Sequence, residues 1–509
     1  MFQNNKYILY TKDAPILALR CDRDEKGDPH FVSEHEWSNV RPFGFKDFDT
    51  WIAGRRAPQN REHIKELLTK CGCNDLEGYI RFSYAASLND TFWIKPEESE
   101  LTWDDISLYK NKFDENIARL AFGTGVAGEK FSSATPELST DGSFPKCWKR
   151  FENEIFLLKQ GSSGYSNSGL EPYSEFYAFQ ISKIICDDVV PYDLIRHHGK
   201  LVSRCKLFTT EDTGYAPAAA FMGATATLDD MFSFFDKLGS GNLFRQMVVL
   251  DALTLNTDRH LKNFGVLYDN DSMKILRMSP VFDNNLSLCP YASLDELRDA
   301  ERYMSTRPSA IGDGFNEAAL KCMTGEIRDR VWQVQNFKFD CSGKYALPEE
   351  RIVLLERIVH MQAENLLKGR VISVPVNTDA PVEMVDLCIT INKADNYEDL
   401  ISTLNEKDIV IGSFRIITTT GDNIRISKCD ITVNNYDDKI EIDIYDCISE
   451  GMSTSLSVKQ IDGLCIYGKS EGKLIAAKVE IQLNKDAAST VTELERMEIE
   501  LKQNQEIST

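Results

Sequence analysis

No apolar stretch among the 509 residues approaches the roughly 20 that a bilayer-spanning helix requires. The opening segment MFQNNKYILYTKDAP has none of the basic, apolar and small-residue regions of a secretory leader, so a cytoplasmic protein away from membranes is expected. No Cys-x-x-Cys pair occurs among the 13 cysteines, and only Cys71 and Cys73 lie close together. That spacing seeds neither a tetrahedral zinc site nor a disulfide framework, and reduced, mostly buried thiols are expected instead. Basic charge is also short, with 58 Lys and Arg against 79 Asp and Glu for a net charge of −21. Nucleic-acid binding needs a basic footprint and is disfavoured. Internal repeats and low-complexity segments are missing as well.

The chain has the makings of several ordinary globular cores. Hydrophobic residues make up 42% and charged residues 27%, and a chain this long divides into two or three domains. Residues 1–122 mix short strand-like runs (Tyr7 to Tyr10, Ile16 to Leu19) with a helical stretch from Arg61 to Cys71. A polar region, Gly123 to Ser143, opens the interval 123–210. There FENEIFLLKQG has strand character and EFYAFQISKIIC carries apolar residues at helical spacing. Residues 211–371 are mainly helical, from the segment 228–257 with its apolar run MVVLDALTL to an amphipathic helix at 350–368. A linker with two prolines follows at 372–382. In 383–509 apolar and polar residues alternate at period two between turn signals, which predicts a small antiparallel β domain, with an acidic amphipathic helix near 490–503. From residue 376 onward there are 25 acidic and 13 basic side chains, so this last part carries more than half of the net charge.

The chemistry concentrates in Asn256-Thr-Asp258-Arg-His260-Leu-Lys262-Asn263-Phe-Gly. Phosphoryl transfer from ATP requires a carboxylate to orient the attacking hydroxyl and oxygen ligands for Mg²⁺. Protein kinases set the base Asp five residues before a metal-binding Asn on one loop, and Asp258 and Asn263 have that offset. The second metal ligand belongs on the loop after the next β-hairpin. VLYDNDSMKILRM reads as that hairpin around Asp269-Asn270-Asp271, and Ser279-Pro280-Val281-Phe282-Asp283 follows. Asp283 is thus the second ligand, although the Phe-Gly that usually follows it is missing. Upstream, Lys159 closes a strand where a phosphate-contacting lysine is needed. Glu175, or alternatively Glu171, opens the next helix as its carboxylate partner, and a solvated Glu175 remains an equal reading. The loop Ser139 to Lys146 is the candidate for covering the phosphates with main-chain amides, including those of Gly142 and Ser143. His260 either reaches the γ-phosphate or braces its own loop, with bracing preferred. Lys262 reads as an exposed or bracing cation, Asp269 and Asp271 as turn formers, and His197 and His198 as surface residues.

Taken together, the N-T-D-R-H-x-x-N-F-G block, the P-V-F-D that follows and the S-x-x-G-x-x-x-K loop resemble the HipA-like bacterial serine/threonine kinases over residues 130–370. SLNDTFWIKP (87–96) resembles the N-terminal region of their Gram-positive members. The resemblance implies an α+β, bilobal protein-kinase-like fold with a mainly helical C-lobe, to which the C-terminal β domain is appended. It implies an ATP- and Mg²⁺-dependent kinase with Asp258 as catalytic base, Asn263 and Asp283 on the metal, and Lys159 on the phosphates. Adenine would meet the main chain around Lys206 to Thr209, Phe208 included. Ser139 would correspond to the loop serine that such kinases phosphorylate to silence themselves, although Asp141 and Pro145 depart from the better-known loops. The implied partners are a protein substrate and a small antitoxin-like protein. Two other classes stay open. One is a lipid or small-molecule kinase, since D-R-H-x-x-N also resembles phosphoinositide kinases. The other is a nucleotide-binding pseudokinase scaffold.

Overall fold

The computed structural model describes residues 5–58, 63–123, 131–133, 135–163, 167–223, 225–312 and 314–369, and the backbone of strands between 383 and 483. The chain divides into two compact units, residues 1–222 with 226–371, and residues 372–509 with 223–225. The proposed linker at 372–382 and the acidic helix near 490–503 lie outside the described residues.

The first unit begins with an antiparallel sheet in the order β3-β2-β1-β4, formed by β1 (Lys6–Thr11), β2 (Ala14–Arg23), β3 (Pro29–Glu36) and β4 (Phe92–Pro96). Its apolar face, with Tyr7, Leu9, Leu17 and Leu19, packs against the helices α1 (Phe48–Arg55), α2 (Ile64–Lys70) and α3 (Leu76–Ser83). Both strand-like runs and the helix expected in this region are present, and each fully buried aliphatic side chain here stabilises by about 1.5–3 kcal/mol. The short helices α4 (Trp103–Ile106) and α5 (Glu115–Ala121) follow.

A second antiparallel sheet, in the order β5-β6-β8-β7, contains β5 (Lys146–Phe151), β6 (Glu154–Gln160), β7 (Tyr192–His197) and β8 (Lys200–Lys206). FENEIFLLKQG is therefore not one strand. Phe151 ends β5, and Glu152 turns the chain in the left-handed region at φ +56°. Helix α6 (Glu171–Ile185), with Pro172 in its first turn where no amide partner is needed, packs across this sheet. Ile155 of β6 joins Trp93 and Trp103 in one core cluster, which ties the first two sheets together.

A third antiparallel sheet, β11-β10-β9, comprises β9 (Thr213–Pro217), β10 (Gly265–Asp269) and β11 (Ile275–Met278). Asp269 accepts Ser272 N at 2.7 Å in the β10–β11 turn, and Asp271 pairs with Lys12 at 2.6 Å. Helices fill the rest of the unit. They are α7 (Leu228–Lys237), α8 (Gly241–Thr254), α9 (Leu294–Arg298), α10 (Ala300–Ser305), α11 (Phe315–Cys322), α12 (Gly325–Val334) and α13 (Glu349–Lys368). Residues 246–254 of α8 are buried on every side because α6, α7, α11 and α13 surround the helix. An apolar run without amphipathic stripe marks such a central helix.

Among the described residues the second unit holds eight strands, β12 (Glu383–Ile391), β13 (Val410–Thr418), β14 (Asn423–Ser427), β15 (Cys429–Asn435), β16 (Ile440–Asp446), β17 (Gly451–Ser457), β18 (Ile461–Ser470) and β19 (Lys473–Leu483). They form the sheets β12-β19-β18-β13-β14 and β15-β16-β17. One pairing departs from the purely antiparallel expectation, because β12 and β19 run parallel. Side chains alternate with the same period in either arrangement, so pattern alone does not reveal strand direction.

Among the described residues Cys341 is exposed and eight cysteines are buried as free thiols. None of the described helices is long and apolar enough to cross a membrane.

Candidate functional site

Lys159 lies at the C-terminal end of β6 with its side chain 10% exposed. Its ammonium is 2.6 Å from Glu175 Oε1 and 2.8 Å from Asp283 Oδ1, joining residues 16 and 124 positions away in the chain. Glu175, one helical turn into α6, is buried and also accepts the Ser203 hydroxyl from β8. The solvated reading of Glu175 is thus excluded. Glu171, the alternative partner, is taken up elsewhere, accepting Tyr291 Oη at 2.8 Å and Ser162 N at 3.1 Å.

These charges set each other's protonation. Burial opposes the Lys159 ammonium, but Asp283 and then Glu175 outweigh it and hold its pKa well above the ordinary lysine value. Burial likewise pushes Asp283 up, yet Lys159, followed by Lys146 and Arg259, brings it down to about 2. Glu175 is raised, chiefly by burial, with Lys159 opposing. The result is a fixed cation beside a carboxylate that stays ionised at neutral pH.

The helix-to-loop turn that follows α8 carries the second group. Leu255 adopts the left-handed conformation (φ +53°) and ends the helix. Asn256 Oδ1 then accepts the Asp258 amide at 3.1 Å, and Asn263 Nδ2 donates to the Asp258 carbonyl at 2.8 Å. The loop is therefore closed by the same Asp and Asn that the five-residue spacing singles out. The Asp258 carboxylate is 34% exposed, and His260 Nε2 lies 3.8 Å from its Oδ1. Desolvation within the surrounding cleft raises the Asp258 pKa, as does Asp283, while His260, Arg259 and Lys159 act against them. His260 Nδ1 accepts Lys262 N at 3.2 Å, a bracing contact within the loop.

Asp283 follows the segment 279–282, which runs beside residues 188–190 through a parallel Val189–Val281 bridge. The residue itself is left-handed, with φ +57°, and its amide donates to Tyr192 Oη at 3.1 Å. Phe282 packs against Phe208 and Tyr215, with ring centroids 5.3 and 5.6 Å apart.

Loop residues 139–146 lead into β5. Gly142 has φ +93°, a region open to glycine and strained for other residues. Its amide donates to Asp141 Oδ1 at 2.7 Å, while Ser143 is exposed. The Ser139 hydroxyl donates to Ala86 O at 2.8 Å, immediately before the segment SLNDTFWIKP. Lys262 Nζ and Asp141 Oδ2 are 3.9 Å apart, an exposed pair at the outer limit of ionic contact. Lys206 pairs its ammonium with Glu154, and the Phe208 ring belongs to the apolar cluster of Val190, Tyr192 and Cys205. Neither of these two side chains joins the charged group around Lys159; the expectation for them concerned main chain. His197 departs from its surface reading. It is half-buried against Phe122 at 5.1 Å, and burial pushes its pKa down to about 4.

Several members of the site have no signal in local spacing. Lys146 is buried, faces Lys159 across the β5–β6 ladder, and donates to Asp141 O at 2.7 Å. Like charges directly opposite on neighbouring strands are unfavourable unless an anion offsets them, and Asp283 feels both lysines. Its place at the end of the S-x-x-G-x-x-x-K loop is the signal that could have found it. Tyr192, Asp251, Arg259 and Asn284 likewise enter through tertiary contacts.

Among the described residues no three His, Cys, Asp or Glu side chains cluster as a metal site. Asp283 and the amide oxygen of Asn263 are hard donors in a sparse set. That set fits Mg²⁺, which keeps waters and substrate phosphate oxygens among its ligands. Chemically the site can neutralise a polyanion with Lys159 and Lys146, hold a divalent ion, and accept a proton at Asp258.

No family model matches the chain, and no curated protein matches it. Two solved structures are similar to parts of it. One is the proinflammatory kinase CtkA of Helicobacter pylori, at 20% identity over 44% of this chain and 89% of that one, with a TM-score of 0.36. The other is HipA of Shewanella oneidensis MR-1, solved with HipB and operator DNA. It is 13% identical over 71% of this chain and 97% of that one, with a TM-score of 0.42. At such scores neither likeness carries weight, and function rests on the side chains themselves.

Proposed function

We propose that this protein is an ATP- and Mg²⁺-dependent phosphotransferase, specifically a serine/threonine protein kinase of the HipA-like kind. One observation carries the reading. The Lys159 ammonium lies 2.6 Å from Glu175 and 2.8 Å from Asp283, beside a loop on which Asp258 and Asn263 share a hydrogen bond. Buried cation, metal-type carboxylate and base loop are the parts phosphoryl transfer requires.

In this reading Lys159 and Lys146 neutralise phosphate oxygens, which in water would repel the incoming nucleophile. Asn263 and Asp283 would hold Mg²⁺, which would supply charge neutralisation to the phosphates. Asp258 accepts the proton of the substrate hydroxyl as its oxygen bonds to the γ-phosphorus and the bond to ADP breaks. A carboxylate with raised pKa is the better proton acceptor. Ser143 would cover the phosphates with its amide, as would Gly142 on giving up its bond to Asp141 Oδ1, and His260 would steady Asp258. The adenine would lie along the main chain of Lys206 to Thr209. The sequence resemblance adds a protein substrate, a small antitoxin-like partner, and silencing by phosphorylation of Ser139.

The test is incubation of the purified chain with labelled ATP and Mg²⁺, alone and with lysate, beside Asp258→Asn. Label on protein from the wild type and a loss of about 10²–10⁴-fold in the variant are expected. Label confined to lipid or small-molecule fractions would overturn the protein-kinase assignment, and nucleotide binding without transfer would leave a scaffold. Mass spectrometry of the wild-type product reads Ser139 directly; an unmodified residue removes it from the proposal.

A further inference from the structure

Arg259 is the one charged member of the N-T-D-R-H block that faces no cleft. Its side chain is 1% exposed, and every group around it is defined. Nε donates to Asp251 Oδ2 at 2.9 Å and one Nη2 hydrogen to Asp251 Oδ1 at 3.0 Å. The remaining three N–H groups leave that carboxylate. Nη1 donates to the Asn263 carbonyl at 3.0 Å and to the Phe282 carbonyl, and Nη2 reaches Asn284 Oδ1 at 2.6 Å. Asp251 in turn accepts Asn256 Nδ2 at 3.1 Å, at the start of the loop.

Asp251 takes two of the five N–H groups, and a buried guanidinium needs acceptors for the other three as well. The other contacts converge on the main chain of Asn263 and on both neighbours of Asp283, the two residues assigned to the divalent ion. A guanidinium is planar and its five N–H groups form a rigid fork, so acceptors bound to one fork are fixed relative to each other. Asp283 also sits in a left-handed conformation, φ +57°, which strains a side-chain-bearing residue. The bonds from Arg259 to the Phe282 carbonyl and the Asn284 amide, one on each side of Asp283, hold it there. We propose that Arg259 is a positioning residue that sets the separation of the Asn263 amide and the Asp283 carboxylate, and thereby the affinity of the site for its divalent ion. The inference rests on the kinase reading only in assuming that these two groups share that ion.

The experiment titrates Mg²⁺ against binding of a non-hydrolysable ATP analogue to the full chain by calorimetry, with a parallel series in chelator. Arg259→Lys keeps a cation for Asp251 but cannot reach the carbonyls and Asn284 together. Asn284→Ala leaves the buried ion pair intact and removes one arm of the fork. For Arg259→Lys the half-saturating Mg²⁺ concentration is expected to rise about 10–100-fold, the range for loss of groups that orient metal ligands. For Asn284→Ala a smaller rise in the same direction is expected, together with a lowered thermal midpoint, because one buried Arg259 N–H loses its acceptor. Should Arg259→Lys fail to fold, Asn284→Ala decides alone. Wild-type Mg²⁺ dependence in both variants would overturn the proposal and leave the kinase reading intact, as would an equal loss of binding with and without metal. A wild type whose nucleotide binding ignores Mg²⁺ would instead overturn the metal assignment, and the proposal with it.

Discussion

Lys159 keeps the buried Asp283 carboxylate charged and opposes the burial that raises the pKa of Glu175. Removing one partner of a buried ionic group costs about 3–5 kcal/mol, because the remaining charge is left in a poorly solvating environment. Lys159→Met is therefore expected to destabilise the fold by that amount near neutral pH. The sign of the pH dependence follows from Asp283. Its pKa is depressed to about 2, so its carboxylate contributes stability above the ordinary carboxylate range, lost as pH falls toward the folded value. Without Lys159 that depression vanishes and the carboxyl takes up a proton at higher pH. Urea unfolding of wild type and variant at pH 7.5, 5.5 and 4 should thus give a gap that narrows with acidity. A gap of constant size would show that Lys159 acts through packing and not through charge.

Among the elements, the loop entering β5 is sensitive to a single methyl group. A Cβ on Gly142 would lie 2.2 Å from Lys146 Nζ, and φ there is +93°. Gly142→Ala must displace the lysine or distort the loop, at a local cost of about 1–3 kcal/mol. Because the loop is assigned to phosphate binding and not to proton transfer, KM for ATP should rise roughly tenfold, equivalent to about 1.4 kcal/mol, with kcat nearly unchanged. Steady-state kinetics at several ATP concentrations measure both. A fall in kcat with unchanged KM would mean that the loop acts on the chemical step. Helix α6 shows the complementary case of a rigid element, since Glu175 is held by Lys159 and Ser203 from two strands of one sheet.

For the molecule as a whole, the two units make different demands on the chain. All residues of the candidate site lie before residue 371 in a unit with its own apolar core. A chain ending at residue 371 is expected to fold with a cooperative thermal transition and to bind Mg²⁺ and nucleotide as the full chain does. Differential scanning calorimetry with and without nucleotide tests this. Loss of the nucleotide-dependent shift on truncation would show that residues 372–509 complete the site.

Much of this was legible in the residues, and the reason is distance along the chain. Asp258 and Asn263 share one short loop, so their spacing alone reported a hydrogen-bonded turn that the coordinates contain. The long helix at 349–368 and the buried run in α8 followed from periodicity, because burial imposes a pattern on consecutive side chains. Strand direction in the last unit did not follow, since parallel and antiparallel ladders alternate alike. The choice of Glu175 over Glu171 was also decided only in three dimensions, one helical turn being enough to send one carboxylate to Lys159 and the other to Tyr291. Arg259 is the extreme case. Two of its acceptors are main-chain carbonyls, which every residue possesses, so no residue type could announce them and folding had to bring them within reach.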